Sequence, residues 1–271
     1  MADVRDVEEP RSRLRRAVCP VPRIGFVAAL LCALLAILSG LGHRWGWWDF
    51  GTGFLILRWA VYGALAAAAV SLLGVVLAPL GRSWGTFFPA FLGLIVALAT
   101  VWVPWSQIQG AEAAPPIHDI TTDPADPPRF SAILPLRQGA PDPATYGGPA
   151  VAALQAKAYP GVQPAVFRLP LDDVFRQALK VAHRMGWDVV AAVPARGRIE
   201  ATATTFWYGF KDDVVVRLTP VTGGTRVDLR SVSRVGRSDL GANARRIEGF
   251  LKQLRARLAA TPGSPTRPPT G

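Results

Sequence analysis

The stretch Ser231–Arg246 carries the densest run of polar side chains in the sequence. Arg234 and Arg237 precede Ser238 and Asp239, and Arg245 follows within two turns of a predicted helix. A Ser or Asp just ahead of an apolar-periodic run is a helix N-cap. Guanidinium groups beside exposed helix N–H groups are suited to phosphate or carboxylate. Arg234, Arg237, Ser238, Asp239 and Arg245 are therefore the candidate anion-binding residues. The same residues admit an architectural reading, in which the arginines pair with the capping aspartate or with Asp212 and Asp213.

A second cluster, His118, Asp119 and Asp123 with Asp126 nearby, offers the oxygen and imidazole donors of a weak divalent-metal candidate. Asp, Thr and Pro in such a run are also ordinary turn formers, and that reading is preferred; no metal is assigned. His183 lies on a predicted helix without a nucleophile pattern and reads as a surface residue. Glu200 and Asp228, with Arg226 and Arg230 adjacent, read as cross-strand ion pairs on a polar sheet face. The hydrolase, zinc-protease, P-loop and dinucleotide signatures are missing. No catalytic residue and no cofactor are assigned.

These residues need a scaffold, and the pattern from Leu171 onward supplies one. Leu171, Val174, Phe175, Ala178, Val181 and Ala182 recur at helical spacing, with Asp172 and Asp173 in the first turn. Strand-like runs follow at Trp187–Val193, Arg198–Phe206, Asp213–Pro220 and Thr225–Val232, separated by turn-forming residues. Leu240, Ala244, Ile247, Leu251, Leu254 and Leu258 mark a second amphipathic helix. Alternation within the strands predicts one apolar face against the helices and one polar face in water. The expected domain, residues 171–260, is α+β: helix, four-stranded antiparallel sheet, helix. The aromatic run Phe206-Trp207-Tyr208 falls at a hairpin end. It reads either as a lid on the core edge or as a patch for membrane, helices or partner.

Upstream, the chemistry changes entirely. Three uncharged apolar runs, about Ile24–Leu41, Trp59–Leu80 and Phe87–Trp105, are each long enough to span a bilayer core of about 30 Å as helix. Residues 24–105 are therefore expected to form three transmembrane helices. Residues 1–23 form a basic leader with Arg5, Arg11, Arg13, Arg15, Arg16 and Arg23. That charge bias predicts a cytoplasmic N-terminus. Three crossings then place the C-terminal domain in the periplasm, and the protein in a bacterial inner membrane. The first apolar run is longer than a signal-peptide core of about 7–15 residues and reads as an uncleaved anchor. Cys19 precedes that run, which argues against a lipoprotein, and the soluble half has no cysteine for a disulfide or thiolate site.

Residues 106–170 are proline-rich and read as a connector and the start of the soluble domain, with a short strand possible at Phe130–Leu136 and a turn or two of helix at Val151–Ala158. Residues 261–271 read as a disordered tail. The formal charge is +11, with 21 Lys/Arg against 14 Asp/Glu from Ser106 onward. A basic periplasmic domain favours anionic headgroups, acidic glycans or an envelope protein over nucleic acid.

The strings Ile199-Glu200-Ala201-Thr202, Asp212–Arg217 and Val227–Gly241 resemble the domain of unknown function 1499 family, as does Pro116–Asp123. The resemblance covers about residues 115–257 and leaves the membrane helices outside. Some members carry an Asn-Cys segment early in the domain; this chain has no cysteine there, which excludes a thiol role. The resemblance implies a domain boundary without an established activity. The expected function is a membrane-anchored binding or docking module for an anionic ligand or envelope partner. The alternative is an envelope hydrolase using Asp212, Asp213 or His118, which requires a deep pocket joining them to the arginine turn.

Overall fold

The computed structural model describes residues 21–80 and 84–260. The basic leader up to residue 20, the turn 81–83 and the tail 261–271 lie outside the described residues. The chain divides into two compact units, residues 1–109 with 206–209, and residues 110–205 with 210–271.

The first unit is built on α1 (Val21–Arg44), α2 (Phe50–Leu80) and α3 (Trp84–Ala113). Within them Pro22–Arg44, Phe50–Pro79 and Gly85–Gln109 are long and apolar enough to cross a membrane. At 1.5 Å per residue even the shortest reaches about 35 Å. Their side chains are sorted for lipid: Leu30, Leu34, Leu65, Leu72, Leu92 and Leu98 point outward, while Ala29, Ala64, Ala90, Ala97 and Ser71 are buried. Small residues let helix backbones approach where no water drives association. The helices approach closely at Ser71, where a Cβ on Gly25 or Gly93 would come within 2.7 or 2.8 Å of its Oγ. Residues 206–209 belong to the same unit. Trp207 Nε1 donates to the Ile37 carbonyl at 3.0 Å, and the Tyr208 hydroxyl lies 3.2 Å from Ser39 Oγ.

The second unit contains one antiparallel sheet of six strands, where the alternation predicted four. The four expected strands are β3 (Asp188–Val193), β4 (Arg198–Thr204), β5 (Lys211–Val221) and β6 (Gly224–Ser233). The additional two, β1 (Asp119–Thr121) and β2 (Ala165–Phe167), come from the proline-rich segment. Both pair with β6, β1 through Asp119↔Val232 and β2 through Ala165↔Val227. Prolines bracket each one and limit it to three residues, too few for an alternation pattern. Yet these rungs satisfy backbone groups of β6 that would otherwise lack partners.

One sheet face carries α5 (Leu171–Arg184) and α6 (Ala242–Ala259), as the helical spacing predicts. Val174, Phe175 and Val181 of α5 and Ile247, Phe250 and Leu254 of α6 close on Ile199, Val214, Val216 and Leu229. Trp187 stacks on Phe250 with centroids 5.2 Å apart.

The opposite face was expected in water and is instead buried: Glu200 and Asp213 are 0 % exposed, Asp228 1 % and Arg230 3 %. Phe130 and Ile133, from the supposed connector, pack there on Val215 and Val232. The strand anticipated at Phe130–Leu136 is absent; a turn and a 3-10 helix, Leu134–Arg137, stand in its place. This irregular path gives Ser131 and Ile133 N–H groups to the Glu200 carboxylate at 3.0 Å. A paired strand would have had those groups occupied. The helix expected near Val151–Ala158 is α4 (Gly148–Ala158), whose buried Gln155 bonds both the N–H and the carbonyl of Thr121.

Candidate functional site

Successive strand residues point to opposite faces, and this fixes the chemistry of Asp212 and Asp213 on β5. Asp213 enters the layer beneath residues 122–144. There it accepts Arg137 NH1 at 2.6 Å, Arg234 Nε and NH2 at 2.9 and 2.8 Å, and Thr202 Oγ1 at 2.8 Å. Burial alone would push this carboxyl upward, but the bonds from Arg234, Arg137 and Thr202 hold it below the ordinary aspartate value. Asp212 points the other way and accepts Arg246 of α6. The two adjacent carboxylates therefore serve separate layers and do not form a catalytic pair.

Arg234 is accordingly an interior ion-pair residue, so its guanidinium is not presented at the α6 N-terminus. Arg137, its counterpart on Asp213, escaped the sequence reading because nothing periodic surrounds it. The remaining residues of the candidate site occupy the loop into α6. Asp239 accepts the N–H groups of Gly241 at 3.0 Å and Asn243 at 2.6 Å. Burial pushes the Asp239 carboxyl above its ordinary value against the pull of these two bonds. Ser238 Oγ accepts the Leu240 N–H at 3.3 Å and donates to the Pro115 carbonyl at 3.0 Å. Asp239 therefore holds one N–H of the first turn of α6, while Ser238 closes the turn ahead of it and the N-cap position itself is Gly241. Leu240 is held at φ 53, the left-handed region that L-residues avoid at a cost of about 1–2 kcal/mol. Arg245 NH1 donates to its carbonyl at 3.0 Å. Arg237 and Arg245 are exposed, and among the described residues Arg237 makes no side-chain hydrogen bond.

The metal candidates are not brought together. Asp119 forms a two-pronged pair with Arg230, at 2.9 and 2.7 Å. Asp123 accepts Arg217 at 3.2 Å and Arg226 at 2.8 Å. His118 Nε2 lies 3.8 Å from Asp142. Among the described residues no group of three His, Cys, Asp or Glu is placed to hold a metal. Arginines already neutralise the carboxylates that would do so. His183 is exposed on α5. Glu200 and Asp228 do not pair with one another: Glu200 is held by the 131–133 backbone, and Asp228 accepts Arg217 and Arg226 at 3.3 and 3.0 Å.

Among the described residues, shallow concavities lie along Leu98, Val101, Trp102 and Trp105 of α3 and between Arg168–Leu171 and Pro220–Gly224. Neither includes Asp212, Asp213, His118 or the arginine turn.

The two most distinctive strings of the sequence, around residues 116–123 and 227–241, meet at one junction. β1 lies on β6, the Ser233 N–H donates to the His118 carbonyl at 3.0 Å, and the Asp239 N–H donates to the Ile117 carbonyl. Buried Asn243 completes it, giving its Nδ2 to the His118 carbonyl at 2.9 Å and to Ser233 Oγ at 3.1 Å. Its Oδ1 accepts Ser231 Oγ at 2.6 Å. The family model described as "Protein of unknown function (DUF1499)" matches residues 119–254, half of the chain, and takes in this junction from Asp119 onward. The chain belongs to the DUF1499 family. The match ends short of α1–α3, so the DUF1499 domain coincides with the sheet and the helices that cover it. No curated protein and no solved structure matches the chain.

Proposed function

We propose that this chain is a membrane-anchored docking protein whose DUF1499 domain binds an anionic ligand through the outward face of α5 and α6. The observation that carries this reading is the division of charge between interior and surface. Asp119, Glu200, Asp212, Asp213 and Asp228 are all buried. On the surface of the second unit, exposed Lys and Arg outnumber exposed Asp and Glu roughly threefold. Arg176, Lys180 and Arg184 follow one another at i, i+4 along α5; Arg245, Lys252 and Arg255 form a stripe on α6. The two helices pack side by side on the sheet, so the stripes belong to one layer, with Arg237 at the entrance to α6. Asp173 pairs with Arg176, and the other six are the cations available to a ligand.

The arginine-rich leader supports a cytoplasmic N-terminus in a bacterial inner membrane, and on this reading the basic layer faces the periplasm. Phosphorylated lipid headgroups or acidic glycan fragments are the fitting ligand chemistry there. A thermal-shift series on the detergent-solubilised chain, with inorganic phosphate, glycerol phosphate and acidic glycan fragments, tests this. At least one anion should raise the midpoint, and the combined substitution Arg237→Ala, Arg245→Ala, Lys252→Ala and Arg255→Ala should abolish that rise without moving the unliganded midpoint. A fall in the unliganded midpoint would make these residues structural, and a flat series would sink the reading.

A further inference from the structure

Residues 206–209 join β4 to β5 in sequence, yet they cluster with the apolar helices. Their three large aromatic side chains are used differently. Tyr208 is buried, with its ring 4.9 Å from that of Phe54. Trp207 lies over Gly40, where a Cβ would come within 2.4 Å of the indole, and its Nε1 is bound to the Ile37 carbonyl. Phe206 is 84 % exposed, more than any other large apolar side chain among the described residues.

The level of Phe206 along α1 is fixed by two contacts. Its carbonyl accepts Arg44 NH1 at 2.6 Å, and its ring centroid lies 5.8 Å from the same guanidinium. Arg44 is the last residue of the first apolar span. Trp207 reaches further, since Ile37 lies seven residues before Arg44, about 10 Å along the helix. The loop therefore straddles the level at which the apolar surface of α1 ends. Trp45 and Trp47 stand at that level too, and both are exposed.

We propose that Phe206 enters the phospholipid interface and forms, with Trp45 and Trp47, an aromatic collar around the end of α1. Aromatic rings settle where acyl chains give way to headgroups, and a guanidinium beside them meets the lipid phosphate. A bilayer is the occupant because the ring continues the lipid-facing surface of the span rather than a separate patch. Docking of Trp207 and Tyr208 on α1 and α2 holds the loop backbone, so Phe206 reaches lipid without ordering a flexible segment.

The test places the photoreactive residue p-benzoylphenylalanine at position 206 of the full chain, in nanodiscs of phosphatidylethanolamine and phosphatidylglycerol. The same probe at position 102 is the lipid-facing reference, because Trp102 is exposed within the third span, seven residues before its end. Illumination should add one phospholipid mass at 206, in a yield within about threefold of that at 102. Lipid adducts at 102 with none at 206 would overturn the assignment. So would crosslinks from 206 to protein, which would mark the ring as a protein contact. The ring is exposed and its contact is with the Arg44 guanidinium, which an aromatic replacement can keep, so the substitution leaves the fold intact.

Discussion

Arg230 and Asp119, 111 residues apart, form a two-pronged ion pair whose side chains are 3 % and 7 % exposed. Arg230 also donates to the carbonyls of Ala144 and Pro128, and its guanidinium lies over the rings of Phe130 and Tyr146. One side chain on β6 therefore holds β1 and the segment that covers the polar sheet face. Strands read as solvated on one side become interior by this device.

Removing one member of this pair leaves the other charged and buried. Arg230→Ala should cost about 3–5 kcal/mol, whereas replacing both partners with apolar residues of similar volume, Arg230→Met with Asp119→Leu, should recover most of the loss. Urea unfolding of the detergent-solubilised chain, followed by circular dichroism, measures both. Equal losses in the single and double variants would mean that the pair itself is not the source of stability.

Acid should unfold the domain through Asp213. Its folded value is depressed, so its contribution is present above the ordinary aspartate value and is lost as pH falls through the folded one. Asp239 has the opposite sign: its folded value is raised, so stability declines as pH rises from the ordinary value through the folded one. Asp213→Asn should lower stability at neutral pH and flatten the acid limb. Asp239→Asn keeps only one of the two oxygens that accept the Gly241 and Asn243 N–H groups and does not ionise, so its stability should no longer decline as pH rises above the ordinary aspartate value. Thermal midpoints between pH 3 and 8 check both signs.

Gly40 should tolerate no side chain, because a Cβ would meet the Trp207 ring at 2.4–2.9 Å. Gly40→Ala should therefore lower the thermal midpoint of the chain in detergent. Gly85→Ala is the matched comparison, as a Cβ there meets nothing within 4 Å. In an exposed helical position the second change should be neutral or favourable by up to about 1 kcal/mol. Similar behaviour of the two variants would remove the Trp207 contact from the account.

Much of the scaffold was legible because its signals are periodic. The spacing of Val174, Ala178 and Val181 gives α5, and the alternation through Ile199, Ala201 and Ala203 gives the buried face of β4. The cover over the other face is held by Ser131, Ile133 and Arg137, through two backbone N–H groups and one guanidinium. Backbone donors have no residue code, and a single arginine among prolines has no period, so neither could be read in advance. The polar residues of β4–β6 were correctly placed on one face; alternation reports which residues share a face, not what lies on it. In the candidate site, Ser238 and Asp239 were recognisable as turn and cap formers from their position ahead of α6. For Arg234 the sequence left an anion site and a pair with Asp212 or Asp213 both open; strand pairing, which places Asp213 opposite Val232, decides for the pair.

The opposed environments of Asp212 and Asp213 have a consequence for how the strand finds its place. A slip of β5 by one residue would turn Asp213 toward the apolar helices and carry Asp212 away from Arg246. Whichever way the strand slips, one carboxylate at most lands beside the arginines of the other and the second loses its partner, in addition to the exchange of apolar and polar neighbours. One dipeptide thus acts as a two-key lock on threading: β5 is admitted only in the alignment that satisfies both sides at once.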